Sequence, residues 1–66
     1  MKTTGSRIKE LRLAHDWFRV DLAGALQVSA VTILDYETDQ IEIPESKLNA
    51  IAKIFDVSLD YLSPQS

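Results

Sequence analysis

The chain contains no cysteine, and this absence excludes disulfide bonds and thiolate zinc sites as sources of stability. It has a single histidine, so a zinc site would have to combine that residue with carboxylates. No apolar run approaches the roughly 20 residues of a membrane span. Residues 1–5 also lack the apolar stretch of a signal peptide. We therefore predict a cytoplasmic protein with no cofactor, no metal and no membrane contact.

Positive charge is scarce, and the middle of the chain has none. Residues 20–46 include no Lys or Arg, whereas six of them are acidic. The net charge is −3 at pH 7, which argues against a general polyanion binder. With 66 residues the chain makes one small domain. Without a partner subunit, we expect such a domain to be stable by no more than about 3–5 kcal/mol.

Apolar residues recur at helical spacing along the whole chain, and this pattern predicts an all-α fold. No two alternating apolar runs flank an Asn-Gly or Asp-Gly turn, so nothing indicates a β-hairpin. We predict a compact five-helix bundle that forms a single domain over residues 1–66. The predicted helices span residues 6–15, 19–26, 30–38, 45–55 and 59–62, and a tail follows over residues 63–66.

Helix start signals precede most of these segments. Ser6, Ser29 and Ser58 are predicted to cap the first, third and fifth helices through their hydroxyl groups. The second helix is the exception, because Phe18 stands at the capping position and has no hydrogen-bonding side chain. Asp16 is the alternative cap if this helix starts earlier.

Residues 19–37 form the most informative stretch, RVDLAGALQVSAVTILDYE. A short helix pattern with the small residue Ala23 is followed by a break at Gln27, and a second short helix pattern then carries Ile33. Two helices joined in this way form a helix-turn-helix, whose second helix can enter a DNA major groove. The pattern predicts that Ile33 is interior while Thr32 and Asp35 face outward.

The chain resembles the Cro and phage-repressor (XRE-like) helix-turn-helix family over nearly its whole length, from about residue 5 to residue 62. The segments that carry the resemblance are SRIKELR, DLAGAL, QVSAVTI, DYE and LNAIAKIFDVSLDYL. They occur in the family's order and at its spacings, which makes the combination specific. The resemblance implies a bacterial or phage regulator of transcription, repressor-like, that binds double-stranded DNA as a homodimer.

The resemblance also implies roles for individual residues. The positions it brings to DNA are Arg19, Ser29, Ala30, Val31, Thr32, Asp35 and Gln40. Arg19 would contact phosphate at the start of the second helix. A structural ion pair would join Arg12 and Glu37. Residues near the end of the chain would be divided between the core and a dimer contact, namely Phe55, Val57, Leu59 and Tyr61.

One phosphate-contacting position and one turn position depart from the family pattern. Arg19 replaces the usual Gln, and its guanidinium can still bind phosphate. Gln27 replaces the usual Gly at a turn position that needs a positive φ, which should cost roughly 1 kcal/mol of backbone strain.

The groove-facing positions depart further. Ala30 and Val31 offer only apolar contact, for instance with a thymine methyl group, and Asp35 can accept from a cytosine amine but repels phosphates. The loop after the third helix is usually rich in Lys and Arg, but here it carries Glu42 and Glu45. Because cations that neutralise phosphates supply most non-specific affinity, we expect weak DNA binding at physiological salt.

Three classes of function remain open at this point. The leading hypothesis is a DNA-binding regulator, and the alternative is a degenerate helix-turn-helix scaffold that binds a protein, such as an antirepressor, an antitoxin or an interaction domain. The acidic stretch and the expected exposure of Phe18, Ile41 and Ile43 motivate the alternative. An enzyme is disfavoured, because His15 has no apparent nucleophile or metal partner. The chain is also compatible with being a piece of a longer regulator.

Overall fold

A computed structural model of the chain describes residues 2–63. This range contains five helices: α1 (Thr4–Ala14), α2 (Arg19–Leu26), α3 (Ala30–Glu37), α4 (Glu45–Phe55) and α5 (Leu59–Leu62). The predicted all-α five-helix bundle is confirmed, and the predicted bounds of α2, α4 and α5 are those observed. The prediction of an irregular tail falls largely on residues 64–66, which lie outside the described residues.

The start of α1 differs from the prediction, because Thr3 and not Ser6 caps this helix. Thr3 Oγ1 accepts a hydrogen bond from Ser6 N at 3.1 Å, and Ser6 Oγ accepts one from Thr3 N at 2.9 Å. The two residues form a reciprocal capping box in which Ser6 is the third helical residue. Both side chains can cap, and α1 starts two residues earlier and ends one residue earlier than predicted.

The other helix starts follow the local chemistry. Ser29 Oγ accepts from Thr32 N and Ser58 Oγ accepts from Tyr61 N, both at 3.1 Å, so these two predicted caps are confirmed. At α2, Asp21 Oδ2 accepts from Phe18 N at 2.7 Å, which stabilises the entry of a helix that has no capping side chain before it.

Four helices are followed within two residues by one in the left-handed region, with φ values of 54° to 59° at Asp16, Gln27, Asp39 and Asp56. After each of them, a backbone N–H bonds to a carbonyl five residues earlier, as Val28 N does to Ala23 O at 3.0 Å. These are Schellman-type helix ends. Asp16 therefore closes α1 and does not cap α2. Aspartate tolerates positive φ better than most residues, and Gln27, where positive φ was predicted, has no such advantage.

The core lies where α3 packs against α1 and α2, with α4 and α5 closing the remaining side. Ile33 is fully buried there, as the helix-turn-helix pattern predicts. The buried apolar residues are Ile8, Leu22, Ala23, Leu26, Ile33, Tyr36, Ile51, Ala52, Phe55 and Leu62. In the part of the chain that the structure describes, we find no helix with the length and apolar character needed to cross a bilayer.

Candidate nucleic-acid interface

The outer face of α3 is apolar at its most exposed point. Val31 is 66% exposed and Leu34, three residues later on the same face, is 40% exposed. Ala30, Thr32 and Asp35 are half-buried at the edges of this face. The positions expected from the sequence therefore reach the surface together, but Thr32 and Asp35 point outward only in part. Leu34 was missed, although its spacing from Val31 was the signal that could have identified it.

Two hydroxyl groups meet at the amino-terminal end of α3. Ser29 Oγ accepts from Thr32 N, and Ser29 Oγ and Thr32 Oγ1 are hydrogen-bonded to each other at 2.9 Å. Only one of these two hydroxyls donates in the shared bond. The hydrogen of the other hydroxyl remains for an outside acceptor, such as a phosphate oxygen or a base edge.

A buried ion cluster fastens α3 to α1 behind this face. Arg12 Nε lies 2.6 Å from Glu37 Oε2, and Arg12 Nη2 lies 3.2 Å from Glu37 Oε1. Arg12 Nη1 also donates to Trp17 O at 2.8 Å. The side chain of Glu37 is fully buried and that of Arg12 is 6% exposed. A bidentate pair of this kind fixes the relative position of the two helices.

Arg19, the expected phosphate contact, joins the same cluster. Its Nε donates to Glu37 Oε1 at 3.1 Å, while its side chain remains 38% exposed. Within residues 2–63 the structure gives no hydrogen bond to its two terminal nitrogens. Two arginines share one carboxylate, so the cluster carries a net charge of +1. Sequence reasoning missed this contact, because 18 residues separate Arg19 from Glu37 and no helical periodicity links them.

Most other cations of the described residues already have internal partners. Lys2 Nζ lies 2.7 Å from Glu10 Oε1, and Lys47 Nζ donates to Leu26 O at 2.8 Å, where it caps the carboxyl end of α2. The Arg7 guanidinium lies 4.9 Å from the centre of the Tyr61 ring. Arg19 is therefore the main cation left for phosphate on the α2–α3 side.

The loop after α3 is polar and acidic, with one exposed aliphatic side chain. Gln40 is exposed, and its Nε2 donates to Thr38 O at 3.2 Å. Ile41 is 45% exposed, Ile43 is half-buried, and Glu42 and Glu45 are exposed. This surface repels phosphate wherever it approaches a DNA backbone.

The residues expected to be divided between core and dimer contact separate clearly. Phe55 belongs to the core, since it is only 5% exposed and its ring centroid lies 5.5 Å from that of Trp17. It leaves almost no surface for a partner. Val57 is half-buried, whereas Leu59 and Tyr61 are 36% and 38% exposed. Self-association through these residues remains a prediction.

The family model described as "Helix-turn-helix" matches residues 8–62 of this chain. The chain belongs to the helix-turn-helix family. The XRE-like resemblance derived from the sequence is thereby confirmed. The helix-turn-helix fold is also similar to that of the P22 c2 repressor, in a crystal structure of its complex with synthetic operator 9T in the presence of Tl+. The two chains share 27% sequence identity, with a TM-score of 0.90 and 100% of each chain covered. No curated protein matches this chain significantly by sequence.

Proposed function

We propose that the chain is a sequence-specific, DNA-binding transcriptional regulator that places α3 in the major groove. The observation that carries this proposal is the exposed outer face of α3, directly after the left-handed turn at Gln27. Support comes from the fold, which matches that of an operator-bound repressor over its whole length. This function places the protein in the cytoplasm.

Each residue of the interface has a distinct role in this proposal. Arg19 binds a phosphate through its terminal nitrogens, and the free hydroxyl hydrogen of the Ser29–Thr32 pair binds a second phosphate or a base edge. Val31 and Leu34 contact thymine methyl groups, since apolar side chains read these groups in the major groove. Asp35 accepts from a cytosine amine at the edge of the site.

Binding as a homodimer on a two-fold site completes the proposal. Leu59 and Tyr61 are the exposed large apolar residues of α5, and they remain for a second copy. A two-fold dimer of helix-turn-helix domains reads half-sites about 34 Å apart. Light scattering in the DNA-binding buffer measures the molecular mass, and a monomeric mass both free and on DNA would contradict this part.

Affinity at physiological salt should be low, because each subunit offers few cations to phosphate. The logarithm of the binding constant falls with log salt by about 0.9 per neutralised phosphate. Because Arg19 is the main free cation of the α2–α3 side, we expect a shallow slope, of about one per subunit. The carboxylates of Asp35 and Glu42 lower the affinity further.

The test is selection of a duplex from a random library at low salt, followed by titration against the selected and the random duplexes. We expect clear preference for the selected site. Replacing its thymines by uracil should weaken binding, because only the methyl groups are lost. Val31→Ser should do the same, while Val20→Ser, an equally exposed position on α2, serves as the control. A folded protein that binds neither duplex would end the proposal.

One observation favours a second candidate, a protein-binding module on the same scaffold. Phe18 is 75% exposed and Ile41 is 45% exposed, and the loop that carries Ile41 is acidic. Exposed apolar side chains rimmed by polar residues often mark protein contacts. An antirepressor, an antitoxin or an interaction domain fits this surface. Absence of DNA binding together with a defined protein complex would favour this candidate.

A further inference from the structure

A groove that contains both aliphatic and polar side chains runs between the α3–α4 loop and α5. Two adjoining cavities of about 430 and 390 Å³ form it, and both are lined by Glu42, Ile43, Leu48 and Ser63. Ile41 lines one end and Leu59 the other. Ile41 and Leu59 are exposed, while Ile43 and Leu48 are half-buried. The groove is therefore an open surface in which aliphatic side chains lie among polar ones, and it is not a gap in the core.

The rim of this groove is acidic. Glu42, Glu45 and Asp60 line it with exposed carboxylates, and the structure gives them no hydrogen bond or ion pair within residues 2–63. Asp39 lines the other end, where its carboxylate already accepts from Gly5 N at 3.1 Å. None of the described lining residues is Lys, Arg or His. The groove thus combines carboxylates with the aliphatic side chains of Ile41, Ile43, Leu48 and Leu59.

We propose that this groove binds a basic amphipathic segment of a partner protein. Lys and Arg have aliphatic stems that lie along apolar surface while the charged end reaches a carboxylate at the rim. A purely apolar ligand would desolvate the carboxylates without pairing them, which is costly. Nucleic acid is repelled here, because its phosphates carry the same charge as the rim. The inference does not depend on DNA binding by α3, and it deepens the second candidate function, because Ile41 and the acidic loop belong to both surfaces.

A second copy of the chain suits the groove poorly. Five of its seven Lys and Arg side chains have internal partners, namely Lys2, Arg7, Arg12, Arg19 and Lys47. Those left are Lys9 and Lys53, on α1 and α4. A two-fold contact centred on the groove would also bring Asp60 and Glu42 close to the same residues of the other copy. Like charges at close range oppose such a contact.

The test uses the full chain, a short amphipathic helical peptide with leucines on one face and flanking lysines, and the same peptide with glutamates in place of the lysines. Amide and methyl NMR shifts of the protein are followed during titration at low salt. We expect shifts confined to Ile41, Ile43, Leu48 and Leu59 with the lysine peptide, and none with the glutamate peptide. Raising the salt should weaken the binding, since the rim charges are exposed.

Variants with matched controls locate the binding site. Glu42→Lys should weaken binding by about fivefold, whereas Glu10→Lys changes the net charge equally on α1, outside the groove. Ile41→Ser should also weaken binding by about fivefold, whereas Val20→Ser removes an exposed valine on α2. All four positions are exposed, so each variant should keep the helical spectrum of the parent.

Three results would overturn the proposal. The first is an absence of shifts at millimolar lysine peptide. The second is equal binding of the glutamate peptide, or equal effects of the groove and control variants. The third is movement of the Ile41 and Ile43 resonances on simple dilution of the protein, with a dimer mass by light scattering, because a second copy would then occupy the groove and not only contact Leu59 and Tyr61.

Discussion

At its carboxyl end α3 is held by buried charges, whereas its amino-terminal half presents apolar and hydroxyl side chains to solvent. Glu37 is bound by two arginines and closed off from water, while Val31 is two-thirds exposed and has no structural partner to lose. The helix is thus fixed at one end and available for recognition at the other. Substitutions at the two ends should therefore affect different properties, the first stability and the second binding.

Loss of Glu37 tests the fixed end most severely. Glu37→Ala leaves Arg12 buried without its carboxylate, and removing one partner of a buried pair costs about 3–5 kcal/mol. This is comparable with the whole stability expected for a domain of this size, about 3–5 kcal/mol. We expect a largely unfolded chain by far-ultraviolet circular dichroism and urea denaturation. Glu42→Ala removes an exposed carboxylate and should change little. A stable, cooperatively folding Glu37→Ala would contradict the role given to the cluster.

The contact between Gly5 and the end of α3 gives the next largest effect. A Cβ on Gly5 would lie 2.3 Å from Tyr36 O and 2.7 Å from Glu37 O, so α1 and α3 would have to separate. We expect Gly5→Ala to lower the free energy of unfolding by about 1–3 kcal/mol. A Cβ on Gly24 meets nothing within 4 Å, and Gly24→Ala should instead stabilise α2 by about 0.5–1 kcal/mol. Urea titrations of both variants check the pair, and equal effects would refute the close approach.

Arg19 contacts the fixed end of α3 and is also the proposed phosphate ligand. Its Nε is occupied by Glu37, so its terminal nitrogens can be held toward a phosphate, and lysine has no group that serves both partners. We expect Arg19→Lys to lose about as much affinity for the selected duplex as Arg19→Gln, around fivefold for each. Lys53→Gln controls for the loss of a distant charge. If Arg19→Lys binds as the parent does, charge alone matters and the anchoring by Glu37 has no role.

The turn before α3 gives the smallest expected change. Gln27 has a φ of 59°, and glycine adopts this conformation without a steric penalty. Much of that gain is offset by the larger entropy of glycine in the unfolded chain, so Gln27→Gly should stabilise the fold by no more than about 0.5 kcal/mol. Asp56→Gly, at a φ of 54°, should gain less, because aspartate tolerates the left-handed region. Thermal denaturation of the two variants, in parallel, measures the difference.

The helices could be predicted from local signals, since caps, apolar spacing and turn residues act within a few positions. The start of α1 was misplaced because Thr3 and Ser6 are equally able to cap, and the choice involves Asp39. Asp39 accepts a hydrogen bond from Gly5 N, which is 34 residues away in the sequence, and no sequence spacing predicts this contact. The Arg19–Glu37 bond has the same character. Local chemistry therefore predicts the helices. Contacts of carboxylates with amides or cations far away in the sequence can be identified only from the folded structure.

The candidate interface, like the helices, could be predicted where it depends on local spacing and not where it depends on distant contacts. The α3 positions follow from the helix-turn-helix pattern, and helical spacing from Val31 would also have given Leu34. The partners of Lys2, Lys47 and Arg7 did not follow, because each long side chain has several carboxylates, carbonyls or rings within reach. The groove beside α5 lies between segments that are far apart in the chain, so its acidic rim becomes visible only when the loop and α5 are brought together.

Because the turn around Gln27 is short, it leaves little room for inserted residues between α2 and α3. Successive residues of an α-helix are rotated by about 100°. One extra residue between Gln27 and Ser29 would bring Thr32 to the place of Ile33 and carry Glu37 away from Arg12. Many surface loops of proteins tolerate insertions. In this turn a single inserted residue would displace both the buried salt bridge and the outer face of α3.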